Sequence, residues 1–520
     1  MPVDSPVSDS PASRAVPSKT LTPRSADLMA PAVPGAECAG SVPGPRTARS
    51  GPGTSATAPA GHRAGQGTDR GTGQGTDRGT GRGTGQGTGH GTDRGAARGA
   101  ARGTGHGTSP RPGRSLPSRL RAAVRAIEER TPAHRDRAVD GLRALALLAV
   151  PLGHWMLGGF TLGGDGSLHN ASPLATLGFF APLSWLLQML GIFFLVGGCS
   201  SVLSLRRSAE RGDALGQWLG GRLARLGRPV LGVTAVWAVL LGVLSLLGVP
   251  GGTLRTAAVL VVQPLWFVGI YAGVTALTPL CARAARRWGL WSAVPLLGSV
   301  AVVDFLRYGP LASQMPSWLG LLNLLPGWLF SYQLGVCWGL GRLRRAGGYV
   351  LLTGGAVLFA VLLLVFGYPA SMVGVPGEAR TNSHPPSLLV LALAAAQCGA
   401  AVLLRNRIAR LLRRPALWAP VVVVNLSAMT VLCWHQTAML AAAVPATAAG
   451  GGVAGLTTAP DSLGWVVARL AWLPVFAVLL VAVGSVTRRF ETPWGGAGRG
   501  VRAAAGALAA AFALYAVAVV

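Results

Sequence analysis

From Asp140 to its end the chain is a succession of long apolar runs, near 140–158, 178–205, 229–249, 258–280, 290–304, 318–340, 349–368, 386–404, 417–442, 464–486 and 502–520. Runs of about 16–25 apolar residues have the length of a helix that crosses a bilayer core. Inside hydrocarbon there is no water to pair with backbone N–H and C=O groups, so each run must satisfy them internally as helix. The expected fold is therefore all-α, a polytopic transmembrane helix bundle. Composition agrees, because 50% hydrophobic and 12% charged residues is too apolar for an ordinary soluble domain of this length.

The connections between runs carry a second, independent pattern. One set holds Arg206, Arg207, Arg211, Arg222, Arg225 and Arg228, then Arg283, Arg286 and Arg287, then Arg342, Arg344 and Arg345. The same set continues with Arg405, Arg407, Arg410, Arg413 and Arg414, and ends with Arg488, Arg489, Arg499 and Arg502. The intervening connections hold only Arg255, Arg307 and Arg380. Basic and non-basic connections alternate, and the positive-inside rule then puts the basic ones and the N-terminus in the cytoplasm. The expectation is a multi-pass protein of the cell membrane with its C-terminus outside. This placement also accounts for the net charge of +28, from 46 Lys+Arg against 18 Asp+Glu, so no nucleic-acid partner is expected.

Residues 1–115 are rich in Pro, Ser, Ala, Gly, Thr and Arg, and from Gly65 they settle into a Gly-Thr repeat decorated with Arg, Gln, Asp and His. Such a stretch has almost nothing to bury and is expected to be a disordered cytoplasmic tail. It reads either as a basic tether or as a neutral repeat expansion. In 116–133, Leu116, Leu120, Val124 and Ile127 form a stripe flanked by Arg119, Arg121, Arg125 and Arg130. That pattern predicts a basic amphipathic helix at a membrane surface, with a partner-binding helix as the alternative. The first twenty residues contain no apolar core and do not resemble a secretory signal. The six cysteines are scattered without a CxxC pair, so neither a metal site nor a disulfide framework is expected.

Polar groups at membrane depth are costly and are candidates for function. In DGLRALALLAVPLGHW, Arg143 and His154 are eleven residues apart, about three turns plus 20°, so both lie on one helix face about 16 Å apart. Asp140 stands one turn before Arg143 and can pair with it. Pro151 frees a carbonyl just before His154. Further candidates for a pocket are Gln263, Asp304, Arg307, Asn323, Gln333, His435 and Arg469. The spans hold almost no carboxylates, which weighs against a proton-driven transporter.

Several of these pieces resemble the acyltransferase-3 family of membrane-bound O-acyltransferases. DGLRALALLAVPLGHW resembles that family's first-helix Arg, ten residues, His signature. GIFFLVGGCSSVLSLRR, GQWLGGRLARLGRP, PLWFVGIY and VLCWHQTAML follow in the family's order, with Gly-Gly-Cys-Ser standing where Ser-Gly is usual. The resemblance covers about 134–490, leaving 491–520 as a linker and an additional span beyond the family's usual ten. It implies transfer of an acyl group, expected to be acetyl, from acyl-CoA to a hydroxyl of a carbohydrate, lipid or secondary-metabolite acceptor. It further implies His154 as catalytic residue and Arg143 as its essential partner, with no bound cofactor and acyl-CoA as co-substrate. The chemistry is consistent, since moving an acyl group to a hydroxyl needs a base near neutrality and histidine is the natural one. The rival reading is a non-catalytic transporter or flippase for a glycan or lipid-linked substrate, in which the histidines only hydrogen-bond.

Overall fold

The computed structural model describes residues 118–132, 135–375, 380–447, 452–488 and 498–519. The expected tail, 1–115, and residues 491–497 of the expected linker lie outside the described residues.

Helix α1 (Ser118–Glu129) precedes α2 (Arg137–Leu157), and a hairpin of β1 (Gly159–Leu162) and β2 (Leu168–Ala171) follows. The chain continues through α3 (Ala181–Leu187), α4 (Leu190–Glu210), α5 (Leu215–Leu246), α6 (Gly251–Val262) and α7 (Leu265–Ala276). Next come α8 (Thr278–Trp288), α9 (Val294–Tyr308), α10 (Leu324–Gly339), α11 (Arg345–Leu364) and α12 (Leu388–Leu411). The last helices are α13 (Pro415–Leu426), α14 (Ala428–Thr447), α15 (Leu463–Thr487) and α16 (Arg499–Val519). Among the described residues eight helical segments are long and apolar enough to cross a membrane, or nine if the bent pair α13–α14 is one span. Helices α2 and α10 occupy the first and sixth expected runs. The chain is a polytopic helix bundle.

Three expected runs are broken, the one near 178–205 between α3 and α4 at Gln188–Met189. The run near 258–280 starts earlier, at Gly251, and splits between α6 and α7 at Gln263–Pro264, where proline cannot donate to the preceding turn. The run near 417–442 bends by 76° between α13 and α14. Pro151 does not interrupt α2. The hairpin is the departure from an all-helical chain. It pairs Gly159 with Ala171 through Leu162 with Leu168, and its tight turn places Gly166 at φ 76°, a conformation that favours glycine.

Helix α2 joins two packed clusters. Val139, Leu142 and Ala146 pack with α4, α10 and α12, whereas Trp155 packs with α5, α6, α14 and α15. Within lipid such packing rests on close approach rather than on water exclusion. Helices α4 and α10 touch through Gly198 and Gly335: a Cβ on Gly335 would overlap the carbonyl oxygen of Leu195, and one on Gly198 that of Tyr332. Gly335→Ala is therefore expected to destabilise the bundle by at least about 1–3 kcal/mol, read as a lowered melting temperature in detergent. An unchanged melt would mean that the two helices separate without cost.

Contacts gather the basic connections at one end. Arg405 bonds Asp136 at 2.8 Å, Arg137 donates to the Leu412 carbonyl at 2.9 Å, and Arg342 donates to the Arg286 carbonyl at 3.2 Å. Helix α1 packs against α13 at this end, and Arg137 pairs with Glu128 of α1 at 2.5 Å. The Arg-poor connections meet at the other end. There Thr176 donates to the Pro460 carbonyl at 3.0 Å, the Trp185 indole donates to the Ala370 carbonyl at 2.6 Å, and Thr253 accepts from Leu168 N–H at 2.9 Å.

Candidate active site

Helix α2 starts at the basic end, where the Asp136 side chain caps it by accepting from the N–H groups of Ala138 and Val139. It ends at Gly158, so His154 lies in its last turn, toward the Arg-poor end. The last carbonyls of a helix have no partner within it, and here two side chains serve this end. Arg469 of α15 donates from Nε to the Trp155 carbonyl at 2.6 Å and from Nη2 to the Gly158 carbonyl at 2.7 Å. Its Nη1 reaches the Gly455 carbonyl at 2.9 Å. Ser172 donates to the Leu157 carbonyl at 2.8 Å. The Trp155 indole N–H donates to the His435 carbonyl at 3.0 Å, tying α2 to α14.

Helix α14 then brings two side chains to His154. The Gln436 amide, through its Nε2 position, lies 3.0 Å from Nδ1 of His154. The His435 ring packs on the His154 ring with centroids 5.0 Å apart. His435 Nδ1 sits 3.0 Å from both the Val431 and the Leu432 carbonyl oxygens. Carbonyls only accept, so Nδ1 of His435 carries the proton and Nε2 carries a lone pair. That Nε2 is buried without a partner.

His154 faces a cavity of about 150 Å³. Val150, Leu187, Leu190 and Phe267 give it apolar walls, and Asn170, Gln188, Gln263, Ser383, His384 and Gln436 add neutral hydrogen-bonding groups. Among the described residues no Asp, Glu, Lys or Arg lines it. Gln263 stands at the break between α6 and α7, which fits the rule that irregular backbone at membrane depth lines a cavity. The outer wall belongs to the connection before α12. His384 there packs edge-on against Trp266 at 4.5 Å, and its Nδ1 lies 2.9 Å from the Ser383 hydroxyl. Burial pushes the His384 imidazole down to about 4, so at neutral pH it is an uncharged part of the wall.

Of the residues named from the sequence, His154 and Gln263 line the cavity and His435 backs it. Arg143 does not reach it. It stands about 16 Å back along α2, with Nη1 3.3 Å from Asp140 and Nη2 2.5 Å from the Ser200 hydroxyl. Asp140 also takes Arg135 at 2.5 Å. Asp304 is fully buried and ties the Arg-poor end together, accepting from Asn323 at 2.9 Å, Tyr368 at 3.1 Å and the Leu388 N–H at 2.7 Å. Arg307 lies over the Tyr308 ring at 4.9 Å. Gln333 donates to the Cys281 carbonyl at 3.1 Å and to Ser292 at 2.7 Å. Asp304, Arg307, Asn323, Gln333 and Arg469 thus stand outside the cavity lining. Gln188, Asn170, Ser383 and His384 line it although nothing in their sequence spacing marks them; Asn170 sits in β2, Gln188 at the end of α3, and Ser383 and His384 in the connection before α12.

A sequence profile described as an acyltransferase domain matches residues 136–489, well over half of the chain. The chain belongs to the acyltransferase-3 family. The matched region begins at the cap of α2 and ends just after α15, so it contains every residue of the cavity wall, while α16 stands beyond the acyltransferase-3 domain. No curated protein and no solved structure matches the chain. An acyltransferase-3 domain on a multi-pass helix bundle makes this a membrane acyltransferase.

Proposed function

We propose that the protein moves an acyl group, acetyl in the simplest case, from acyl-CoA to a hydroxyl of a carbohydrate, lipid or secondary-metabolite acceptor, with its basic end in the cytoplasm. The observation that supports this best is an imidazole, His154, held by a neighbouring amide at the wall of a cavity whose described lining carries no Asp, Glu, Lys or Arg. In this reading the acceptor hydroxyl donates its hydrogen bond to the free ring nitrogen of His154. The imidazole takes the proton as the oxygen attacks the thioester carbonyl. Amide N–H groups of the wall, Gln263 and Gln188, stabilise the oxyanion of the tetrahedral intermediate. Its collapse breaks the C–S bond, and the imidazolium returns the proton to the departing thiolate. Apolar walls keep out water that would hydrolyse the thioester.

A cavity of about 150 Å³ is smaller than the about 300–1,000 Å³ typical for whole small molecules. It takes the thioester and the acceptor hydroxyl, and the nucleotide of acyl-CoA stays outside it. In this reading Arg143, near the basic end of α2, meets the phosphates of that nucleotide. The acceptor, in the same reading, enters from the Arg-poor end, past Asn170 of the hairpin and Ser383 and His384 of the connection before α12.

The direct test is release of CoA thiol and formation of an acyl ester by the purified protein in nanodiscs, followed by mass spectrometry across acceptors of the three classes. Binding of acceptor without thiol release from any acyl-CoA would favour the transporter. Arg143→Lys is expected to raise the apparent KM for acyl-CoA about tenfold or more, because an ammonium cannot reproduce the two-pronged contact of a guanidinium. An unaltered KM would remove Arg143 from the donor site.

A further inference from the structure

We infer that Gln436 is a positioning residue that sets the tautomer of His154, its amide oxygen accepting the Nδ1 proton so that Nε2 presents a lone pair to the cavity. The inference rests on the reading of His154 as the base and deepens it by naming which nitrogen acts and what holds it.

The argument is an account of donors and acceptors. The amide of Gln436 is 3.0 Å from His154 Nδ1, and it has two nearly isosteric orientations related by a half turn about its last torsion. With the NH2 group toward the ring, Nδ1 must be the acceptor, and the other ring nitrogen then carries the proton. His154 would in that case be a donor toward the cavity and could not deprotonate a hydroxyl. The same orientation leaves Gln436 Oε1 buried with no partner. Beside it, His435 Nε2 is also buried and unpaired, and the carbonyl contacts of Nδ1 make that nitrogen a lone pair too. Both orphaned atoms of this shell are acceptors.

Turning the amide removes the orphaned acceptor and sets an oxygen against Nδ1. An oxygen can face Nδ1 only if that nitrogen is protonated. The neutral ring has one proton, so Nε2 is then bare. The second contact on the same ring, the His435 imidazole at 5.0 Å with the two ring planes tilted by 42°, is a packing contact that offers His154 no proton. Gln436 follows His435 directly on α14, and α14 is held to α2 by the Trp155 bond to the His435 carbonyl. The amide is therefore carried by an element whose position relative to His154 is set independently.

Two substitutions separate the orientations. Gln436→Glu offers only carboxylate oxygens to Nδ1 and keeps the accepting role; Gln436→Met removes both roles at similar volume. The expected result is that Gln436→Met lowers kcat about 10–100-fold with KM for acyl-CoA unchanged, whereas Gln436→Glu stays within a few fold of wild type. If Glu falls as far as Met, the amide donates and the inference is wrong. A readout free of turnover uses ¹⁵N-histidine-labelled protein in bilayers and solid-state NMR, with the His154 signals assigned by their loss in His154→Gln. The expected spectrum has a protonated Nδ1 and an unprotonated Nε2 in wild type, mixed in Gln436→Met. A protonated Nε2 in wild type would overturn the inference. Because the tautomer is read directly, a correct tautomer with no acyl transfer from any acyl-CoA would instead count against the proposed reaction.

Discussion

His154→Gln is expected to abolish acyl transfer while leaving the amount of protein in the membrane and its melting temperature near those of wild type. Glutamine keeps a hydrogen-bonding side chain of similar reach but cannot take a proton at neutral pH, so the loss isolates the base from the shape of the site. Removal of a general base costs about 10²–10⁴ in rate, and the larger figure is expected here because among the described residues of the lining the second titratable side chain is His384, which sits in the connection before α12, against Trp266. The measurement is kcat for acyl ester formation beside a thermal melt of the same preparation. Turnover by His154→Gln within a few fold of wild type would take the base away from this residue and leave a binding pocket. A collapse in both turnover and melting would mean that the ring is structural. The ring makes one side-chain hydrogen bond, to Gln436, and packs against His435, and glutamine can retain the former. For that reason the melt is expected to hold.

How far the site could be read from the residues depends on what each residue does in three dimensions. The spans were legible because each is long, apolar and bounded by arginine, and a membrane helix needs nothing else to be recognised. The Arg143–His154 spacing and the likeness to the acyltransferase-3 signature led to the ring that lines the cavity, and Gln263 was visible as a polar residue before a proline inside an apolar run. The outer wall was not visible. Asn170 lies in the hairpin strand β2, Gln188 at a helix end and Ser383 and His384 in a connection, where polar residues are ordinary, and they become a wall only when the hairpin and the connection before α12 fold over the end of α2. The hairpin itself was hidden because its strands have four residues each and follow directly on a span. Asp304 shows the opposite failure: a buried carboxylate in an apolar run reads as functional, yet its three acceptor contacts all go to Asn323, Tyr368 and the Leu388 backbone. Such a charge is equally suited to holding irregular segments together, and composition does not separate the two uses.

Arg469 is the strongest case of that second use, and its replacement is expected to be among the most damaging in the protein. The side chain is 0% exposed, and its donors go to the carbonyls of Trp155, Gly158 and Gly455. Two of these belong to the final turn and cap of α2, where helix carbonyls have no partner of their own and the helix dipole favours a positive charge. The guanidinium also packs on Trp465 at 5.3 Å and on Phe476 at 4.9 Å, both on its own helix α15. Arg469→Met removes the charge and leaves three carbonyls unpaired inside the bundle, which is expected to cost about 3–5 kcal/mol, the range seen when one partner of a buried charged contact is deleted. Arg469→Lys keeps the charge but brings one ammonium where a planar fork reached three acceptors, so it is expected to fall between. The consequence for activity follows from position. Trp155 is the residue after His154, and loosening its carbonyl frees the last turn of α2, so kcat should fall together with the melting temperature in the order wild type, Lys, Met. A pocket residue that contacts substrate would instead raise KM while the melt stayed constant. Thermal melts and steady-state kinetics on the two variants decide between these outcomes, and an unchanged melt for Arg469→Met would remove the clamp on α2.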